Sequence, residues 1–395
     1  MHTLPTTHIE LAAWLRLSLA PGLKPAALRL LLSALGLPAA IFEQPPQVLA
    51  EIAGEAAARA ALAPTSADFG AQLDAVVAWC ELPGNQVVTL DDPAYPPALL
   101  TMPDPPPLLY IKGRLDLLHT RAIAIVGSRS ATPQGVEDAE RFAREFAAAG
   151  VTVVSGLALG IDGAAHRGAL QRVGSTVAVI GTGADVVYPS AHHTLTRQIA
   201  QDGAILSEWP LGTPARAANF PQRNRLIAGL VSGVVIVEAA MRSGSLITAR
   251  LANEMGRDIF ALPGSVHAPL SRGCHRMIKQ GAKLVETPDE VLEELGFRKP
   301  AVSRAKVTHA VAERPARSSG DERQPALFAA SPPASLTPQA RQLLDALGHS
   351  PATLEILATR TEMGDAALQA TLLQLELAGQ LTVLPGGRFM RASHG

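Results

Sequence analysis

Short apolar runs alternate with helix-length amphipathic segments through the middle of the chain. These runs cover residues 122–126, 151–154, 176–180, 203–206, 233–237 and 258–262. Runs of this kind are typical of strands that are buried on both faces, as in a parallel sheet covered by helices on both sides. The pattern therefore predicts a doubly wound α/β domain, whose ligands bind at the carboxyl ends of the strands.

Helical periodicity precedes this domain. Residues 9–80 repeat apolar positions at helical spacing, with a Pro-Gly break after the first helix and further helices at residues 26–35 and 46–52. Two short helices joined by such a turn indicate a helix-hairpin-helix or SAM-like unit, which can bind a DNA phosphate through backbone amides. A helical packing module is the alternative, and the acidity of the segment favours it.

A proline-rich connector, residues 84–118, joins the helices to the sheet. It contains a strand candidate at residues 86–90 and a second, predicted as an edge strand, at residues 108–112. The prolines between them hold the chain extended.

The C-terminal pattern predicts a winged helix. Helices are expected at residues 337–347, 352–359 and 365–378, followed by a two-stranded hairpin over residues 380–390. Such a domain usually places its third helix in the DNA major groove. That helix contains no lysine or arginine here, so contact with a protein is an equally good alternative. The predicted boundaries are residues 1–82 for the helical domain, 83–297 for the α/β domain, 298–334 for a flexible linker and 335–395 for the winged helix.

Composition narrows the class of protein. The chain has 395 residues, of which 47% are hydrophobic and 17% charged, and its formal net charge is −1. Residues 121–290 nevertheless contain 17 basic and 14 acidic side chains, and 15 of those basic residues are arginines, which bind phosphate oxygens well. Codon bias is the alternative explanation. Two distant cysteines and the lack of a long apolar run predict a cytoplasmic protein without membrane span, metal or cofactor.

Glycine, hydroxyl and arginine residues follow four of the predicted strands. They are accompanied by an arginine- and asparagine-containing segment at residues 220–225. Backbone N–H groups and cations at strand ends and helix starts suit a phosphate-bearing ligand. No nucleophile–base pair is evident among them. The candidate contact residues are Gly127, Ser128, Arg129, Gly156, Gly181, Thr182, Ser190, His193, Phe220, Arg223, Asn224, Arg242, Ser243, Gly244 and Ser245.

Several phosphate-binding turns side by side at the carboxyl ends of the β-strands suit a polynucleotide strand better than a single nucleotide. Aromatic residues make up only 4% of the chain, so base stacking contributes little, and Phe220 and His193 are the nearest candidates for it. Affinity should come mostly from phosphates and depend strongly on salt. Asp162 and His166 follow the second strand, where Asp162 is predicted to cap a helix and His166 to contact ligand or support that cap.

These motifs resemble the DNA-processing protein A (DprA/Smf) family. The resemblance rests on residues 127–129, 155–166, 181–185, 188–189, 220–225, 242–248 and 262–264. It implies an extended Rossmann-like domain that binds single-stranded DNA and forms a homodimer. It also implies loading of the RecA recombinase onto incoming DNA during natural transformation.

The resemblance also assigns roles to single residues. Arg129 is expected to hold a phosphate, Gly181 to admit the DNA backbone, and Arg223 and Asn224 to line the pocket beside residues 243–245. One position departs from the family, since Ser190 stands where members often carry lysine. The charge at that point must come from elsewhere.

Two other functions remain open. Related Rossmann folds hydrolyse nucleotide N-glycosidic bonds with a catalytic glutamate, for which Glu254 is the candidate here, while Glu238 could bind a ribose. A winged-helix regulator of transcription is the third hypothesis. The absence of a nucleophile–base pair favours a protein that binds DNA without cutting it.

Overall fold

The computed structural model describes residues 7–297, 337–347, 351–361, 363–384 and 386–392. The predicted linker, residues 298–334, lies outside them. The chain divides into two compact units, Met1–Ser303 and Arg304–Gly395. No helix within the described ranges is both long enough and apolar enough to cross a membrane.

Six helices open the first unit, in agreement with the helical periodicity. They are α1 (His8–Ser18), α2 (Pro25–Leu35), α3 (Pro38–Phe42), α4 (Pro46–Ala53), α5 (Glu55–Ala61) and α6 (Phe69–Cys80). Thr7 and Glu10 form a capping box at the start of α1. Trp79 of α6 packs edge-on against Tyr110 of the sheet, with ring centroids 6.0 Å apart. The helices therefore share a core with the α/β fold.

A nine-stranded sheet forms the centre of the unit. Its strands are β1 (Asn85–Thr89), β2 (Leu108–Gly113), β3 (Ala122–Val126), β4 (Thr152–Ser155), β5 (Thr176–Val179), β6 (Ala204–Ser207), β7 (Gly233–Ile236), β8 (Asp258–Ala261) and β9 (Lys283–Leu284). Their order is β1-β2-β6-β5-β4-β3-β7-β8-β9. All neighbours pair in parallel except β1 with β2 and β2 with β6. This order confirms the predicted doubly wound sheet, and it reverses between β3 and β7, where a ligand crevice is expected.

Helices cover both faces of the sheet. They are α7 (Pro97–Leu100), α8 (Pro133–Ala148), α9 (Ile161–Leu170), α10 (His193–Asp202), α11 (Asn219–Leu230), α12 (Ser245–Glu254), α13 (Arg272–Lys279) and α14 (Pro288–Glu294). Helices α11, α12 and α13 share one apolar cluster with the sheet. Helices α8, α9 and α14 share a second cluster on the other face. Single turns of 3₁₀ helix occupy Leu115–His119 and Ser190–His192.

One strand prediction was wrong. Strand β2 is not an edge strand, because it pairs with β1 on one side and with β6 on the other. The sequence pattern also did not reveal β9, which adds a ninth strand beside β8. Strand β9 has only two residues and so gives no periodic signal in the sequence.

The described residues of the second unit form three helices and a small sheet, which confirms the predicted winged-helix pattern. Its elements are α15 (Pro338–Leu347), β10 (Ala352–Thr353), α16 (Leu354–Thr361), α17 (Asp365–Leu377), β11 (Leu381–Leu384) and β12 (Arg388–Arg391). The helix predicted at residues 352–359 was wrong at its start. Ala352 pairs with Phe389 of β12, so the hairpin gains a third strand and α16 begins two residues later.

Helix α17 occupies the position of a DNA-reading helix. Its exposed positions include an apolar row at Ala366, Ala370, Leu373 and Leu377, one helical turn apart. Leu373 and Leu377 are 56% and 81% exposed. A row without cations suits a protein surface better than DNA phosphates.

Candidate functional site

A cleft of about 760 Å³ lies at the carboxyl ends of β3, β4 and β7. A smaller cavity of about 80 Å³ adjoins it beside the end of β5. The two spaces share the side chains of Arg129, Tyr188, Phe220 and Arg223. Thirteen of the fifteen candidate residues line one or both: Gly127, Ser128, Arg129, Gly156, Gly181, Thr182, Phe220, Arg223, Asn224, Arg242, Ser243, Gly244 and Ser245.

Glycines in this wall are required by the packing of the protein itself. A Cβ at Gly127 would lie 2.5 Å from Cγ1 of Ile161, and one at Gly156 would lie 2.0 Å from Nη1 of Arg223. Gly160 precedes α9 with φ +74°, which favours glycine, and a Cβ there would approach a backbone oxygen at 2.3 Å. These glycines let the strand-end loops pack against α9 and α11.

Arg223 is the central cation of the cleft. Its side chain extends from α11 beneath Gly156, and the residue is only 4% exposed. The guanidinium donates a hydrogen bond to the Val179 carbonyl, but among the described residues it forms no ion pair and its Nε has no partner. Burial lowers the pKa of Arg223 to about 10, although the nearby Asp162 carboxylate opposes that shift. The positive charge is thus held at the base of the cleft without a direct counter-ion.

Asp162 organises the loop between β4 and α9. Its Oδ2 accepts hydrogen bonds from the backbone N–H groups of Gly156, at 3.2 Å, and Ala158, at 3.3 Å. Burial raises the pKa of Asp162, while Arg223 opposes that rise. The prediction that Asp162 caps α9 was wrong in its detail, because its bonds go to the preceding loop rather than to the helix start.

Aromatic rings form one wall between the two spaces. The rings of Tyr188 and Phe220 are 5.5 Å apart, and the guanidinium carbon of Arg129 lies 5.6 Å from the Phe220 centroid. Tyr188 is 46% exposed and was not among the candidate residues. The Tyr-Pro motif was the only sequence signal for it. The pair offers an exposed face on which a base can stack.

The serine-rich turn faces this wall across the cleft, immediately before α12. The hydroxyl oxygens of Ser243 and Ser245 are 2.6 Å apart, and Nδ2 of Asn224 donates to the Gly244 carbonyl at 3.5 Å. Helix α12 starts at Ser245, and the backbone N–H groups of Ser245, Leu246 and Ile247 donate to Ser243 Oγ, the Ser243 carbonyl and the Gly244 carbonyl. What this helix start offers an anion is therefore the positive end of the helix dipole and the serine hydroxyls.

Ser190 and His193 lie outside these two spaces. Ser190 is exposed in the 3₁₀ turn that follows the Tyr188–Pro189 pair. His193, the first residue of α10, lines a separate cavity of about 410 Å³. The structure therefore does not bring these two candidates together with the other thirteen.

His166 is a structural residue rather than a cleft residue. Its Nε2 accepts a hydrogen bond from the Leu157 backbone N–H at 3.3 Å, so its Nδ1 carries the proton and donates to Thr176 Oγ1 at 2.7 Å. Complete burial lowers the pKa of His166 to about 3. Of the two predicted roles, support of the loop is the one that the contacts show.

We expect acid to destabilise the protein through His166. In the folded state its pKa lies below the ordinary 6.5, so the unfolded chain binds the extra proton first. The free energy of unfolding should fall as the pH drops from 6.5 toward 3, by up to about 1.4 kcal/mol per pH unit. Urea unfolding across this range tests it. His166→Gln should flatten the dependence, the exposed control His267→Gln should not, and equal slopes in both would contradict the assignment.

The hydrolase hypothesis assigned a role to two glutamates, Glu254 as the catalyst and Glu238 as a ribose ligand, and the structure places both in other environments. Glu238 accepts bonds from the Thr132 backbone N–H at 2.9 Å and from its hydroxyl at 2.6 Å, and Thr132 in turn caps α8. Glu254 is exposed in the last turn of α12 and lines neither of the two spaces. No group of three or more His, Cys, Asp or Glu side chains within the described ranges could hold a metal ion.

Fold and site together define a doubly wound α/β protein with a cationic, glycine-walled cleft at the carboxyl ends of its strands. A sequence model described as DNA recombination-mediator protein A matches residues 86–296. A second model, the DprA winged helix domain, matches residues 328–387. The chain belongs to the DNA recombination-mediator protein A family, which confirms the resemblance found in the sequence.

Individual relatives agree with this family assignment. Protein Smf of Escherichia coli K12 is 40% identical over 327 residues, which cover 82% of this chain and 82% of that protein. The DNA processing protein DprA of Streptococcus pneumoniae is 50% identical over 208 residues, which cover 53% of this chain and 73% of that protein. An X-ray structure of the Streptococcus pneumoniae DprA matches with a TM-score of 0.62 at 39% identity, covering 73% of this chain and 98% of that one.

Proposed function

We propose that this protein binds single-stranded DNA without cleaving it and acts as a recombination mediator. The observation that carries the proposal is Arg223, a buried guanidinium at the base of the cleft that has no ion pair among the described residues. A buried cation is costly unless it is paired. A phosphate entering the cleft would supply the missing counter-ion, with Arg129 at the same wall.

The shape of the site supports a strand of DNA, rather than a single nucleotide, as the ligand. The cleft and the adjoining cavity share one wall, so several phosphates and bases can lie side by side along it. The aromatic pair Tyr188–Phe220 accepts the face of any base, and stacking of this kind is tolerant of sequence. Bases are available for stacking only when they are unpaired, which favours single-stranded over duplex DNA.

Binding without cleavage is supported by the hydrogen bonds of the acidic side chains near the cleft. Asp162 is committed to two loop amides, and Glu238 to the cap of α8. The hydrolase hypothesis would need Glu254, which lies nine residues beyond the start of α12 and therefore about 13 Å along that helix. Base release from nucleoside monophosphates that disappears in Glu254→Ala would revive the enzyme hypothesis.

The remaining parts of the proposal rest on family membership. The family description names a recombination mediator and supports that role. Loading of the RecA recombinase, a homodimer and a cytoplasmic role in natural transformation are part of the proposal as implications of the family resemblance. The uncharged exposed row of α17 supports a protein partner for the winged helix. We retain the predicted boundaries, with the α/β domain at residues 83–297, as part of this proposal.

Replacing Arg129 by alanine tests the function directly. We expect the affinity for oligo-dT to fall by about 1–3 kcal/mol, because one charged hydrogen bond to phosphate is lost. The dependence of affinity on salt should weaken by about 0.7 in log–log slope per phosphate contact. Fluorescence anisotropy at several salt concentrations, with duplex DNA in parallel, measures both. Wild-type protein that binds no oligo-dT at low salt would refute the function.

A further inference from the structure

A second cavity of about 410 Å³ lies between α10 and the sheet. Its floor is aliphatic and is lined by the half-buried Val186, Val187 and Ala200, together with Leu157, Ile180 and Ile205, which are almost fully buried. Its rim is polar. The rim residues are Lys112, Asp185, His193, Arg197 and Gln201.

The charged groups on this rim are predominantly cationic. Asp185 is committed to the backbone N–H of Gly212, at 2.9 Å from both carboxylate oxygens. Lys112 and Arg197 form no ion pair with any residue that the structure describes. His193, Arg197 and Gln201 follow one another at single-turn spacing on the cavity side of α10. An aliphatic floor with a cationic rim suits a nucleotide, whose base is flat and whose phosphate is anionic.

This cavity adjoins the proposed DNA site. Leu157 and Ile180 line both the small cavity beside the cleft and this larger one. Between the two spaces runs the segment 186–193. Tyr188 faces the former, whereas Val187 and His193 face the latter. A strand that leaves the Tyr188–Phe220 wall can therefore cross the exposed Ser190 and reach the second cavity.

We propose that this cavity is a second nucleotide subsite, which holds a flanking nucleotide of the same single strand. The inference rests on the proposed function. Arg197 and Lys112 bind the flanking phosphate, and the base lies against Val186 and Val187. The two candidates outside the main cleft, Ser190 and His193, then belong to one continuous path.

Oligonucleotide length separates the two sites. We would measure affinities for oligo-dT of about 5 and about 15 nucleotides, since only the longer strand spans both sites. In Arg197→Ala, affinity for the longer strand should fall about fivefold, whereas that for the shorter strand should not change. The log–log salt slope for the longer strand should fall by about 0.7, which a merely structural role of Arg197 would not cause. Arg197→Lys should restore that slope.

Arg172→Ala is the matched control, because Arg172 is an exposed arginine in the turn before the amino end of β5. It should leave both affinities unchanged. Unchanged binding of the longer strand by Arg197→Ala would overturn the subsite and leave the proposed function intact. Loss of dTMP binding alone in that variant would make the cavity a free-nucleotide site and would also overturn the inference. Failure of wild-type protein to bind either strand would refute the proposed function itself.

Discussion

Arg223→Met is expected to weaken binding of oligo-dT by about 2–5 kcal/mol, more than any exposed cation of the cleft. The guanidinium is nearly fully buried, so a phosphate bound to it is shielded from water and interacts strongly. Methionine keeps much of the side-chain length but removes the charge and the donors. Fluorescence anisotropy with oligo-dT measures the loss, and circular dichroism establishes that the variant is folded.

Two further variants serve as controls for the Arg223→Met measurement. Arg223→Lys keeps the charge without the planar fork that contacts the Val179 carbonyl, so it should recover only part of the affinity. Arg172→Met removes an exposed arginine distant from the cleft and should have no effect. A folded Arg223→Met protein with wild-type affinity would show that the buried charge serves the fold alone, and the proposed function would lose its main support.

The sequence was sufficient for the sheet and for the edge at which the site lies. Buried parallel strands are apolar throughout, and this pattern located β3 to β8 because no other element combines such short runs with helix-length spacers. Their carboxyl ends must lie at one edge, which placed Arg129, Gly181 and Ser243 together. The antiparallel β2 and the two-residue β9 could not be placed, because neither strand direction nor so short a pairing alters hydrophobic periodicity.

Side-chain direction within the site was beyond the sequence. Arg223 and Arg225 are two residues apart on α11, a rotation of about 200° around a helix, so they must point to opposite sides. Which one faces the cleft depends on how α11 packs on the sheet, and that is a tertiary property. The glycines illustrate the same limit: Gly156 was predicted as a contact residue and lines the small cavity, but the sequence did not show that it also makes room for Arg223.

The second arginine of this pair should control stability instead of binding. At a pH well above 7, Arg225→Leu is expected to lower the free energy of unfolding by about 3–5 kcal/mol, because it leaves the buried, ionised Glu208 carboxylate without its cation. Arg225 donates to Glu208 and, at 2.6 Å, to the Asp104 carbonyl. Urea unfolding measures the loss. The surface control Arg141→Leu breaks the ion pair with Asp138 and a cation–π contact with Phe142, and it should cost less than about 1 kcal/mol.

We expect the uncompensated charge of Glu208, rather than lost packing, to cause the loss of stability in Arg225→Leu. Two measurements separate these two causes. Arg225→Leu combined with Glu208→Leu should recover much of the stability, because the uncompensated carboxylate is gone. Burial already raises the pKa of Glu208 to about 7 against the opposing effect of Arg225. Without Arg225 that pKa rises further, so below about pH 7 the carboxyl is mostly protonated in both folded proteins. The part of the defect that comes from charge should be small there and grow as the pH rises above 7. A loss of stability that is independent of pH and persists in the double variant would show that lost packing is its cause. The affinity of the folded molecules for oligo-dT is a separate measurement: of the two α11 variants, Arg225→Leu should stay near wild type and Arg223→Met should lose affinity.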